Sequence, residues 1–167
     1  MRGVGGRDDL SAGMTEANRL LATHNTACMF VTLFYGVLDV ATGRLRYCNA
    51  GHNPPYLLHA GGGRSSLKAT GIPIGIEGET GYRCAEIVLA PGDTLFMFSD
   101  GITEAFDAAG TEFGTARLEA ALEAARGGSA TGLVREVLGA TAAFTAGAEQ
   151  SDDITCLALA FRGAPTD

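Results

Sequence analysis

A chain of 167 residues with 46% hydrophobic residues and a mean hydropathy of +0.14 is long enough to bury the core of one domain and too apolar for a disordered tail. Its formal net charge of −7 and pI near 4.9 exclude the basic face of a phosphate-backbone binder, so no nucleic-acid partner is expected. Apolar stretches are broken well short of the roughly 18 residues a membrane helix needs, and MRGVGGRDDL has no apolar signal-peptide core. A cytoplasmic protein without a membrane segment, or the cytoplasmic part of a larger one, is expected.

Residues 1–10 read as a Gly-rich lead-in or cloning boundary, with Asp8 and Asp9 serving the N-terminus of a helix from Ser11 to Ala22. Met14, Ala17, Leu20 and Leu21 supply that helix with an apolar spacing. Cys28 to Val40 is rich in β-branched and aromatic residues and predicts a strand, which turns at Asp39–Gly43 and returns over Arg44 to Asn49. Gly51-His52-Asn53-Pro54-Pro55 must be irregular, because proline cannot donate to a ladder. Short strands are expected over Tyr56–His59 and Ser66–Lys68, joined through Gly61-Gly62-Gly63, and another over Tyr82–Leu89. Pro91-Gly92 suits the central pair of a type II turn, which hands the chain to a buried strand, Thr94 to Phe98.

Beyond Glu104 the apolar period lengthens to that of helices. One is expected over Thr115–Arg126, facing inward with Leu118, Ala121, Leu122 and Ala125. A second, capped by Ser129 or Thr131 and closed by Gly147, carries Leu133, Val134, Val137, Leu138 and Phe144 inward. Ile154 to Phe161 is a last core strand. Hairpins, two helices and a returning strand make an α+β domain dominated by antiparallel sheet. The four cysteines, Cys28, Cys48, Cys84 and Cys156, have neither zinc nor disulfide-scaffold spacing and read as small buried thiols in a reducing compartment.

Two strands are bounded by aspartate: Asp100 follows Phe98 and Ser99, and Asp152-Asp153 precede Ile154. If the strands are antiparallel neighbours, these acids share an edge. Two like charges about 4 Å apart repel by roughly 4 kcal/mol at an effective dielectric of about 20, which a hard divalent cation offsets. Ordinary turn acids are the competing reading, and spacing alone does not separate the two.

The series MFVTLFYGVLD, NAGHNPPYLL, GIPIGI, LAPGDTLFMFSDGITEA and QSDDIT, in that order, resembles the SpoIIE (sporulation stage II protein E) branch of the metal-dependent type 2C serine/threonine phosphatases. The specific part is SDG-x-T-E-A followed about fifty residues later by DD-x-T. The resemblance implies an αββα sandwich of two antiparallel sheets flanked by helices, with a binuclear Mn²⁺ or Mg²⁺ centre at one end. It implies metal-activated water attacking a phosphoserine or phosphothreonine in line, without a covalent enzyme intermediate. By motif, Asp100 and Asp152 match the family's catalytic metal ligands and Asp153 an outer position, while Thr103 and Glu104 match the motif without an assigned role.

Two further acidic motifs of the family, G-D-x-x-D and G-D-V-x-G-H-G, have no counterpart. Residues 11–162 therefore look like an N-terminally incomplete phosphatase domain, with 163–167 as a tail and weak or absent activity expected from the chain alone. The implied partner is a small regulatory phosphoprotein such as an anti-sigma-factor antagonist, with a sensor or receiver domain upstream. The alternative is a non-catalytic binding module that keeps the fold. His52 suits a general acid or, more simply, a loop organiser. His24 and His59 read as surface or strand-end residues, and Gly61-Gly62-Gly63 as a hairpin tip rather than a phosphate cradle.

Overall fold

The structure, a computed structural model, describes residues 9–23, 25–150 and 152–164. Most of the expected lead-in, with Asp8, and also His24 and Ser151 lie outside the described residues. The chain forms two compact units interleaved in sequence: Met1–Pro54 with Leu67–Leu89 and Gly163–Asp167, and Pro55–Ser66 with Ala90–Arg162. Each has its own antiparallel sheet, so the protein is a mixed α/β molecule with two antiparallel sheets and helices.

In the first unit, helix α1 (Leu10–Thr23) is capped by Asp9, whose Oδ1 accepts the Ala12 N–H at 3.2 Å. The buried stripe is Leu10, Met14 and Asn18, whereas Leu20 and Leu21 are exposed, contrary to the expected face. Asn18 is buried because its amide serves a loop: it donates to the carbonyls of Glu77 and Gly78 and accepts the Gly75 N–H at 2.8 Å. A three-stranded sheet follows, ordered β1 (Leu33–Asp39), β2 (Arg44–Ala50), β5 (Ala85–Val88). The first strand is shorter than its composition predicts. Cys28 has φ +52°, Met29 and Phe30 are exposed, and Val31 makes one isolated bridge to Ile74 before β1 begins.

The register Tyr47↔Ala85 sets Cys48 opposite Cys84, with Cα atoms 4.5 Å apart, and the two form a disulfide. This corrects the expectation of four reduced thiols. Pairing came from the β2–β5 register, which spacing in the chain does not reveal. Cys28 and Cys156 are free.

The second unit carries the sheet β4 (Arg64–Ser66), β3 (Tyr56–Leu58), β6 (Thr94–Phe98), β7 (Cys156–Ala160). The strand expected over Ser66–Lys68 is displaced toward the Gly-rich tip, because Gly62 and Gly63 adopt positive φ and close a tight hairpin there. The Pro91-Gly92 turn forms as expected: Gly92 has φ +94° and the Asp93 N–H reaches Ala90 O at 2.9 Å. A single helical turn, α2 (Asp100–Thr103), follows β6. Helices α3 (Gly114–Ala124) and α4 (Ala130–Thr145) bury Leu118, Leu122, Leu133 and Val137 in one core with Phe96, Phe98 and Ile102. Ser129 caps α4 by accepting the Gly132 N–H at 3.0 Å, and Ala146, followed by Gly147, turns left-handed at its end. Leu138, expected inside, is 39% exposed.

Two polar anchors yield measurable consequences. Asn49 is fully buried; its amide donates to Leu67 O at 3.2 Å and accepts the His52 N–H at 2.9 Å. Asn49→Ala strands both partners and should cost about 2–3 kcal/mol in urea unfolding. In the second unit Tyr56 donates its hydroxyl to Glu119 at 3.0 Å, and Glu119 also pairs with Arg64. Burial, then the Glu119 carboxylate, push the Tyr56 phenol up to about 12. A raised folded value means the unfolded chain loses its proton first. The contribution is therefore present below about pH 10 and fades as pH rises toward 12. Melting temperatures measured across this window should fall more steeply for the native chain than for Tyr56→Phe.

Candidate metal centre

Strands β6 and β7 pair in antiparallel register from Thr94↔Ala160 to Phe98↔Cys156. The C-terminal end of β6 and the N-terminal end of β7 therefore share one edge of the sheet. Phe96 is fully buried and Phe98 nearly so, which fixes the face of β6 and delivers Asp100 just past its end. Asp100 becomes the first residue of α2, with Ser99 at the N-cap position (φ −83°, ψ 160°). An acid in the first turn of a helix suits the exposed N–H groups there. Asp100 Oδ1 accepts the Gly101 N–H at 3.1 Å.

Thr103 and Glu104, motif residues without an assigned role, help close this turn. Thr103 Oγ1 donates to Asp100 O at 3.1 Å, and the Glu104 N–H reaches the same carbonyl at 2.8 Å.

From the other strand, Asp152 and Asp153 approach the same turn. Ser99 Oγ donates to Asp153 O at 2.8 Å and accepts the Thr155 N–H at 2.9 Å. A Cβ on Gly101 would lie 2.9 Å from the carbonyl carbon of Asp153 and 3.3 Å from Asp152 O, so only glycine admits this approach. Gln150 braces the Asp152 carbonyl at 2.7 Å. Asp152 Oδ1 accepts the Asp153 N–H at 2.6 Å. Both predicted carboxylates are exposed, and each engages a neighbouring N–H through one oxygen. Acceptor-only oxygens at a rigid rim are the donors a hard divalent cation takes. Two carboxylates supply part of such a shell. Among the described residues no group of three or more His, Cys, Asp or Glu could hold a metal ion.

A cavity of about 170 Å³ adjoins this turn, lined by Gly101, Ala105, Phe106 and Ile154 and by the α4 residues Leu138 and Thr141. A larger cleft of about 390 Å³ lies at the opposite end of β6, beside Thr94, Arg126 and Phe161. Arg126 there is occupied structurally, holding the carbonyls of His59 and Gly63 and pairing with Glu123, so the triple-glycine tip is a pinned hairpin. His59 sits just past β3, 3.7 Å from the buried Asp93. His52 lies in the first unit, with Nδ1 3.5 Å from Thr32 Oγ1. Ser99 is the residue that sequence reasoning passed over. A hydroxyl immediately before the motif aspartate was the available signal.

The family profile of stage II sporulation protein E (SpoIIE) matches residues 4–162. Protein IcfG of Synechocystis sp. is 34% identical over 146 residues, which cover 85% of this chain and 22% of that protein. Phosphoserine phosphatase RsbU of Bacillus subtilis is 33% identical over 92 residues, 54% of this chain and 28% of RsbU. The chain thus spans about a quarter of the length of these curated relatives. The solved SiaA-PP2C domain of Pseudomonas aeruginosa superposes with a TM-score of 0.74 at 23% identity, covering 90% of this chain and 60% of that one. Solved neighbours of the same fold include a SpoIIE phosphatase domain presoaked with manganese (TM-score 0.67) and RsbX in complex with magnesium (TM-score 0.63). Motif order, fold and profile agree: the chain belongs to the SpoIIE family and has the fold of PP2C-type phosphatase domains.

Proposed function

We propose that this chain supplies the Asp100–Asp152 side of the active site of a metal-dependent phosphoserine/phosphothreonine protein phosphatase. The observation that carries the reading is the β6–β7 register, beyond whose end Ser99 and Gly101, the neighbours of Asp100, meet the Asp153 carbonyl beside Asp152. Similarity to RsbU, a phosphoserine phosphatase, supports the substrate class. The oxygen-only donors favour Mn²⁺ or Mg²⁺ over softer metals.

In this reading Asp100 and Asp152 each contribute one carboxylate to the cation shell, and Asp153 supports them from behind. The cation, when bound, supplies Lewis acidity and charge neutralisation toward the phosphoryl group. The protein's own part is to bring the two carboxylates to one edge of the sheet, where a cation would neutralise them. The substrate is a phosphoserine on a small regulatory protein, an anti-sigma-factor antagonist being the type case, and residues 11–162 act within a longer protein that carries a sensor or receiver domain.

The cytoplasm is the compartment we propose. The Cys48–Cys84 disulfide runs against a reducing compartment, so the redox state of that pair in cells tests this part of the proposal. No helix among the described residues is long and apolar enough to cross a membrane.

The second reading is a non-catalytic module that keeps the fold. Hydrolysis of p-nitrophenyl phosphate by the full-length gene product, titrated with Mn²⁺, separates the two. The phosphatase reading expects metal-dependent turnover that falls by roughly 100-fold or more in Asp100→Asn and in Asp152→Asn. Turnover that survives both substitutions would remove these residues from the site. A folded protein with no turnover at any Mn²⁺ concentration would favour the module.

A further inference from the structure

Ser99 and Gly101 flank Asp100 in sequence, and both meet the backbone of Asp152–Asp153. The regular β6–β7 ladder ends at Phe98↔Cys156. One more backbone rung follows, from the Ser99 N–H to Thr155 O at 2.9 Å. Past this point α2 turns away, and backbone pairing between the strands stops.

The Ser99 hydroxyl takes over where the ladder ends. It accepts the Thr155 N–H at 2.9 Å and donates to Asp153 O at 2.8 Å, using one proton and one lone pair as a hydroxyl can. On the other side of Asp100, the bare Cα of Gly101 lets the same Asp153 carbonyl come into contact. The carbonyl of Asp153, the residue after Asp152, is therefore met by both neighbours of Asp100.

We infer that Ser99 is a positioning residue. Its hydroxyl, together with the missing side chain of Gly101, sets the separation of the Asp100 and Asp152 carboxylates and through it the affinity for a hard divalent cation. The inference rests on the metal-centre reading above. A hydroxyl that only ended a strand would affect stability alone. One that sets ligand spacing affects metal affinity at nearly unchanged stability, because both carboxylates and the five-rung ladder remain in the variant.

The test is a titration of the metal-free, full-length protein with Mn²⁺, following free Mn²⁺ by electron paramagnetic resonance, beside a thermal melt without metal. Ser99→Ala should raise the Mn²⁺ dissociation constant by about tenfold and leave the metal-free melting temperature within a few degrees. Ser99→Thr, which keeps the hydroxyl, should bind as the native protein does. Gly101→Ala should weaken binding at least as much as Ser99→Ala. Native-like Mn²⁺ affinity in Ser99→Ala overturns the inference, and so does equal weakening in Ser99→Thr. If Ser99→Ala fails to fold, the role is structural and the inference falls as well. A native protein that takes up no Mn²⁺ overturns the metal-centre reading itself, whereas native binding with an unaffected Ser99→Ala leaves that reading standing.

Discussion

The pairing of β6 with β7 is the constraint on which the second unit depends. Five rungs join residues 94–98 to residues 156–160, strands separated by two helices and the turn α2. Side chains alternate across a sheet with a period of two, so a slip of one residue would turn Phe96 and Phe98 away from Leu118, Leu122 and Val137. Burying an aromatic side chain is worth about 1.5–3 kcal/mol, and such a slip would forfeit two of them. The same register decides which residues arrive at the edge. Core packing and site geometry are thus one requirement: whatever keeps the phenylalanines inside also delivers Asp100 beside the Asp152–Asp153 turn.

Much of this unit was legible in the residues. The apolar run Leu95–Phe98, the Pro91-Gly92 turn and the Ser129 cap each act through local chemistry, and local chemistry is what a linear sequence records. The same holds for the inward stripe of α3, where Leu118, Ala121 and Leu122 are buried as their spacing requires. The failures share a cause too. Helical spacing alone puts Leu20 and Leu21 inside, yet the buried position on that face belongs to Asn18, whose amide answers four backbone groups of a distant loop. Cys48 and Cys84 are 36 residues apart in sequence and meet only because β2 and β5 pair. Residues 28–32 have strand composition, but one bridge to Ile74 is all the pairing found for them.

The candidate site shows the same division. The SDG and DD-x-T motifs point to Asp100 and Asp152 as candidates, because carboxylates at strand ends carry their chemistry on their face. The contact that ties the Asp100 turn to the opposite strand is not readable this way. Ser99 looks like a cap residue, and its N-cap dihedrals agree, but its hydroxyl serves the opposite strand rather than its own helix. Gly101 looks like a turn glycine, yet what requires it is the Asp153 carbonyl 52 residues further on. His52, the other residue with a chemical claim, has its backbone tied to Asn49 within the first unit.

The interleaving of the two units bears on how the chain acquires its shape during synthesis. The last strand of the first unit, β5, ends at Val88, so that sheet can close while the ribosome is still making the second half. The β3–β4 hairpin emerges before β6, the partner it needs, and a two-stranded hairpin alone is at best marginally stable in water. It must wait for residues 94–98, and β6 in turn waits for residues 156–160. Contacts between such separated segments form slowly, because a long loop must close before it is rewarded. The edge that carries both aspartates is therefore among the last parts of the molecule to exist. A chain that stops before Asp152 therefore lacks both the last strand of the second sheet and the edge where Asp100 and Asp152 would meet.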